Sequence, residues 1–306
     1  MASISVFGEP LLELASTEAG IVFGATQLGV AGDTLNTAVY LARLGHDVSF
    51  ITALGTDTYS DAIVDRLHQE GVATEHVVRH PSRLPGLYAI RTDDDGERYF
   101  TYWRDQSAAR DFFSLPTAKS AIESALASDL FYFSGISLAI LPPEHRDKLL
   151  GVARACKARG VRVAFDGNYR PYGWQSPDAA RNCLTSVGAI ASIVLPTSED
   201  DDTLFGKADP VTHANRWRAS GVTTVVVKNG PDGAWLLADT DVPQHVAVEH
   251  VVQPIDTTGA GDSFNAGFLA ALLDGQAAER AAMAGNRLAG RVIQYRGALI
   301  SLADMP

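Results

Sequence analysis

Short runs of apolar, β-branched and aromatic residues recur along this chain, and most of the gaps between them are long enough to hold a helix. No other feature restricts the fold as much. The runs cover 4–7, 48–52, 130–133, 161–165, 190–195 and 224–227, each bounded by Gly, Asp, Asn or Pro. Runs that do not alternate apolar with polar suit strands buried on both faces, as in parallel sheets. Helical patterns lie between them at 34–44, 58–70, 143–159 and 211–220. Strands alternating with helices imply βαβ units, hence an α/β fold with a mostly parallel sheet. Segments 262–274 and 277–292 read as two consecutive helices.

One region breaks the alternation. Segments 87–92 and 98–103 flank Asp93-Asp94-Asp95-Gly96, and Asp-Gly between alternating segments signals a hairpin. It interrupts the βαβ order and carries the polar aromatics Tyr88 and Tyr102, so it is expected to project as a small separate sheet. No repeat, low-complexity tract or flexible linker divides the chain. One domain spanning 1–306 is therefore expected, with the small sheet inserted at about 84–104.

The net charge of −11 disfavours nucleic acid and anionic membranes as partners, while leaving room for a local basic pocket. Two cysteines, Cys156 and Cys183, are too few for a disulfide framework or a metal knuckle. The chain opens directly into a strand pattern, and no run approaches 18 apolar residues. A cytoplasmic protein is expected.

The run Asp256-Thr257-Thr258-Gly259-Ala260-Gly261-Asp262 joins an apolar stretch to a helix with Phe264, Phe268, Ala271 and Leu272 on one face. Glycines let the backbone turn sharply, and amides at a helix N-terminus favour an anion. Such a pocket can stabilise transferring phosphoryl oxygens. Asp262, at the helix start, is expected to cap amides, stay ionised and accept a proton from a hydroxyl. An ordinary capped helix beside a glycine turn would use the same residues. A Walker A loop is absent, and the glycines lie too far downstream, without a third, for a dinucleotide fingerprint.

From Asp256 to Phe268 the chain resembles the C-terminal signature of the ribokinase-like (PfkB) carbohydrate kinases. Ala31-Gly32-Asp33-Thr34-Leu35-Asn36-Thr37-Ala38 and Leu41-Ala42-Arg43-Leu44-Gly45 resemble the N-terminal signature, over 200 residues earlier. The resemblance implies a three-layer α/β sandwich with a small β-sheet lid. It makes Gly259, Ala260 and Gly261 an anion hole, Asp262 the catalytic base, and ATP with Mg²⁺ the phosphoryl donor. A dependence on a monovalent cation is left open.

Further segments resemble the branch acting on 2-dehydro-3-deoxygluconate. They include Arg83-Leu84-Pro85-Gly86-Leu87-Tyr88, Gly96-Glu97-Arg98, Tyr102-Trp103-Arg104, Asp166-Gly167-Asn168-Tyr169-Arg170 and Val292-Ile293-Gln294-Tyr295-Arg296-Gly297-Ala298. A sugar acid brings a carboxylate, which an arginine can grip with two parallel hydrogen bonds. Arg104 and Arg170 are the expected cations; Tyr88, Tyr102, Gly32 and Asn36 are the expected sugar contacts. Asn168, Ser198, Lys228, Gly230, Gly233, Gly259, Gly261 and Asn286 are expected on the nucleotide. The division of Arg170 between substrate and donor phosphates stays open.

Two departures bear on the site. Where relatives often carry Asn-x-x-Glu near the metal, this chain has Ser198-Glu199-Asp200-Asp201, so no metal-side carboxylate is assigned. Glu9, after the first strand, is either an acceptor contact or a solvated strand end, and is left out of the site. The expected function is ATP-dependent phosphorylation of the 6-hydroxyl of 2-dehydro-3-deoxy-D-gluconate. The alternatives are a kinase for a neutral sugar such as fructose and a catalytically silent sugar-binding regulator. A homo-oligomer through the lid is expected.

Overall fold

Nearly all the continuous apolar runs become neighbours in one sheet, because a strand with no polar face must be covered on both sides. The computed structural model describes residues 1–16, 22–93, 98–238 and 240–306. In chain order the strands are β1 (Ser3–Phe7), β2 (Leu11–Ser16), β3 (Thr26–Ala31), β4 (Asp47–Leu54), β5 (Val77–Arg79), β6 (Gly86–Thr92), β7 (Arg98–Trp103), β8 (Leu130–Ser134), β9 (Arg162–Asp166), β10 (Ile193–Val194), β11 (Thr224–Lys228), β12 (Ala234–Leu237) and β13 (Gln244–Val246). The α-helices are α1 (Asp33–Arg43), α2 (Thr58–Gln69), α3 (Ala118–Ala125), α4 (Gly135–Ala139), α5 (Pro143–Ala158), α6 (Pro177–Gly188), α7 (Ser198–Phe205), α8 (Pro210–Ala219), α9 (Ala260–Leu273) and α10 (Ala278–Val292).

The large sheet runs β13-β12-β11-β10-β9-β8-β1-β4-β5. It is parallel from β11 through β5, with β12 and β13 antiparallel at one edge. Buried residues of α5, α6 and α8 pack on one face, and those of α1, α2, α9 and α10 on the other. This is the expected three-layer α/β sandwich. β1 lies between β4 and β8, where the strand order reverses. In open α/β sheets, ligands bind beyond the carboxyl ends of the strands at such a point.

Expected run 190–195 shrinks to β10, because the amides of Ile190 and Ala191 turn back to Val187 O and finish α6. The small sheet is larger than expected. Its order is β3-β2-β6-β7, so the hairpin β6–β7 supplies only half of it. The other half, β2 and β3, comes from residues 11–31. β2 is interrupted by Glu13 and ends in Ser16, and β3 leaves Thr26–Gly29 exposed, so neither carries a strong apolar run. Residues 94–97, with most of the expected turn and of the Gly96-Glu97-Arg98 match, lie outside the described residues. Among the described residues no helix is long and apolar enough to cross a membrane.

Candidate active site

The carboxyl ends of β1, β8, β9 and β11 carry Glu9, Ser134, Asp166 to Asn168, and Lys228, and the lysine reaches the glycine turn before α9. Gly259 caps α9 at φ 75°, and a Cβ there would sit 2.8–2.9 Å from Ala298 atoms. Only glycine meets both conditions. A Cβ on Gly261 would lie 3.4 Å from the Lys228 amine, so the lysine is directly against the turn. Asp256 braces it: Oδ1 accepts from the Thr258 amide (2.9 Å) and hydroxyl (2.6 Å), and Oδ2 from the Gly297 amide (2.9 Å). The Ala260 amide donates back to Thr257 O at 3.2 Å. Part of that donor is therefore used within the turn.

Asp262 is not the amide cap that its position suggested; Gly259 is the N-cap residue, and no side chain caps α9. The Asp262 carboxylate instead accepts from Asn36 Nδ2 at 2.8 Å, which joins the two signature segments. Nor is it simply ionised. Burial pushes its pKa up to about 8, and the negative charge of Asp33 adds to the rise. The other amide atom of Asn36, Oδ1, is buried without a partner among the described residues. It is an open acceptor beside Asp262.

Asp33 was overlooked as a site residue although it stands inside the N-terminal signature. It opens α1 directly after Gly32, whose Cβ would meet Glu9 O at 2.7 Å. Asn168 Nδ2 donates to Asp33 Oδ2 at 2.9 Å. Asn168 itself sits at φ 30°, the sole non-glycine at positive φ among the described residues. Such strain clusters at functional sites.

Lys228 is buried. Its amine lies 3.2 Å from both Asp166 oxygens and 3.0 Å from Asn265 Oδ1. Asn265 Nδ2 donates to Asp166 Oδ2 (2.7 Å) and to Tyr132 Oη (3.1 Å). Removing one partner from such a buried pair costs about 3–5 kcal/mol. The network therefore holds a fixed cation beneath the glycine turn. Asp166 and Asn265 stand inside the segments 166–170 and 256–268, whose residue order does not show that they meet.

On the lid, Tyr88 and Tyr102 are register partners with ring centroids 5.7 Å apart. Tyr88 is buried and its hydroxyl donates to Glu13, so that proton is turned into the lid and not offered to a sugar. Tyr102 is half-exposed. Arg104, just after β7, is paired with Glu9 through Nε (2.8 Å) and Nη2. Glu9 is 3% exposed, so the solvated strand end is ruled out.

Arg170 bonds Asp200 at 2.7 Å. The neighbouring Asp201 turns the other way, accepting from Trp217 Nε1 at 2.8 Å, and burial raises its pKa to about 7. Asp200 thus faces the site at the position next to the expected spacing. Thr197 bridges to Lys228, which sets Ser198 beside the turn of Gly230 and Gly233; Ser198 Oγ is buried without a partner among the described residues. Asn286 donates to Val246 O (3.0 Å) and Ala247 O (3.4 Å), so its amide hydrogens secure the segment on which Gly233 packs.

A cation-bearing lid, a carboxylate at a glycine turn and a buried lysine beneath it suit transfer of a phosphoryl group to a hydroxyl. The chain is 41% identical to the 2-dehydro-3-deoxygluconokinase of Dickeya dadantii (strain 3937), covering 99% of this chain and 98% of that one. The protein of the same description from Escherichia coli (strain K12) is 42% identical, with 99% and 98% covered. A structure of a putative ribokinase II from E. coli in complex with ATP and Mg²⁺ superposes with a TM-score of 0.84 at 23% identity, covering 97% of this chain and 94% of that one. The pfkB family carbohydrate kinase model matches residues 1–305. The chain belongs to the pfkB family of carbohydrate kinases.

Proposed function

We propose that this chain is an ATP-dependent kinase that phosphorylates the 6-hydroxyl of 2-dehydro-3-deoxy-D-gluconate, giving 2-dehydro-3-deoxy-6-phospho-D-gluconate. One observation carries the choice of a sugar acid. Arg104 is paired with Glu9, whose carbonyl lies against Gly32 at the start of α1, and Asn36 of α1 bonds Asp262, which supports a lid arginine and the base lining one pocket. The relatives at 41–42% identity over the full chain support the same substrate.

Arg104 receives the substrate carboxylate, and Asn36, Tyr102 and the backbone at Gly32 hold the hydroxyls. The 6-hydroxyl gives its proton to ionised Asp262, oriented by Asn36. Backbone amides at Gly259 to Gly261, with Lys228 beneath, take up charge on the transferred oxygens. Ser198, Asn168 and the Gly230–Gly233 turn line the ATP side, and Arg170 supplies its cation. On that side Asp200 and Asp166 would hold Mg²⁺ through water, and the ion would supply neutralisation of phosphate charge. Asp200, held above the usual carboxylate range by loss of solvation, and the nearby Asp166 fit that water shell.

ADP release across a panel of sugar acids and neutral sugars tests this function. The 2-dehydro-3-deoxy sugar acid is expected to give the highest kcat/KM; a preference for fructose would overturn the assignment. One face of the lid also exposes Leu28, Tyr99 and Trp103, an apolar surface suited to a second copy. Sedimentation is expected to show a homo-oligomer; a monomer at working concentration would refute it.

A further inference from the structure

Two of the crossings between body and lid meet at one buried ion pair. Glu9 lies between β1 of the large sheet and β2 of the lid; Arg104 lies where the chain leaves β7. The Glu9 side chain is 1% exposed and that of Arg104 is 17% exposed. Both Nε and Nη2 of Arg104 point to one oxygen, Glu9 Oε2. Glu9 Oε1 is buried without a partner among the described residues. A Cβ on Gly86 would sit 2.8 Å from Oε1 and 3.0 Å from Arg104 Cβ, so the start of β6 closes over the pair.

We propose that Glu9 is a positioning residue for Arg104: it clamps the inner edge of the guanidinium so that the outer edge meets the substrate carboxylate. The proposal rests on the sugar-acid function given above. Charge alone would argue the opposite, since Glu9 repels a second carboxylate. The surroundings decide the sign. Arg104 also lies within electrostatic reach of Asp33, beside the base. Freed from Glu9, the flexible guanidinium has Asp33 within electrostatic reach as an alternative anion and turns away from the sugar. Glu9 therefore keeps Arg104 off Asp33, and through it keeps the charge around Asp262 unchanged.

A mutant cycle on the full-length enzyme tests this, using Glu9→Ala, Arg104→Ala and the double variant. Glu9→Ala is expected to raise KM for the sugar acid about tenfold, with KM for ATP changing less than about twofold. Glu9→Gln, which keeps an acceptor for Arg104, is expected to recover most of that loss. In the Arg104→Ala background, Glu9→Ala should add less than about twofold, because nothing remains to position. Additive effects, or a Glu9→Ala enzyme that is folded with unchanged or lower sugar-acid KM, would overturn the proposal. If Arg104→Ala itself leaves sugar-acid KM unchanged, the sugar-acid function fails first, and the two failures are told apart. A purely structural Glu9 would lower Tm and affect both substrates alike.

Discussion

Asp262→Asn is expected to lower kcat by about 10³-fold while sugar and ATP still bind, the usual range for removing a general base being about 10²–10⁴. The amide keeps its oxygen for Asn36 Nδ2, which now lies 2.8 Å from the carboxylate, so the pocket keeps its shape. The pH dependence should carry the same signature. Asp262 must be ionised to accept the proton, and burial together with Asp33 lifts its pKa to about 8 in the free enzyme. For the parent, kcat/KM should therefore fall about tenfold per pH unit below that value, with the apparent pKa belonging to the Asp33–Asp262 pair. The effect on stability runs the other way. A carboxyl whose folded pKa is raised stabilises fully below its unfolded pKa and loses that contribution as pH rises through the folded one. The asparagine variant does not titrate, so above pH ~8 it should melt higher than the parent. Stopped turnover with a raised Tm would separate lost chemistry from lost fold; retained turnover would remove Asp262 as the base.

Arg104→Ala carries the second large effect. Hydrogen bonds to a charged group contribute about 1.5–3 kcal/mol each, so losing a two-bond grip should raise sugar-acid KM about 10²-fold. A neutral analogue with the carboxylate replaced should change far less, and that ratio is the measurement. The same change strands Glu9, which is 3% exposed, without its counter-charge. A stability loss of about 3 kcal/mol is expected from that cause alone. Pairing Arg104→Ala with Glu9→Gln should restore most of the stability without restoring sugar-acid affinity, which keeps the kinetic result interpretable.

Much of this site could be read along the chain. The glycine turn and Asp262 stand in one run of seven residues, and Asn36 belongs to the matching N-terminal segment. Their hydrogen bond across 226 positions confirms that the two segments meet. Other residues were visible without their meaning. Asp200 and Asp201 are equivalent as letters, yet successive helical residues point about 100° apart. One therefore reaches Arg170 and the other Trp217. Half of the lid escaped notice because β2 and β3 gain their strand character by pairing, not from an apolar run.

The amino-acid order by itself set the apolar strand runs, the glycine turn and the candidate base, since each depends on residues close together in the chain. Only the tertiary structure decided how those groups behave. The pKa of Asp262 is raised by burial under distant segments and by Asp33, and Arg104 is aimed by Glu9 from 95 positions away. Solvation and charge act through space, so a carboxylate that reads as an ionised helix cap becomes, in the folded pocket, one poised near neutrality.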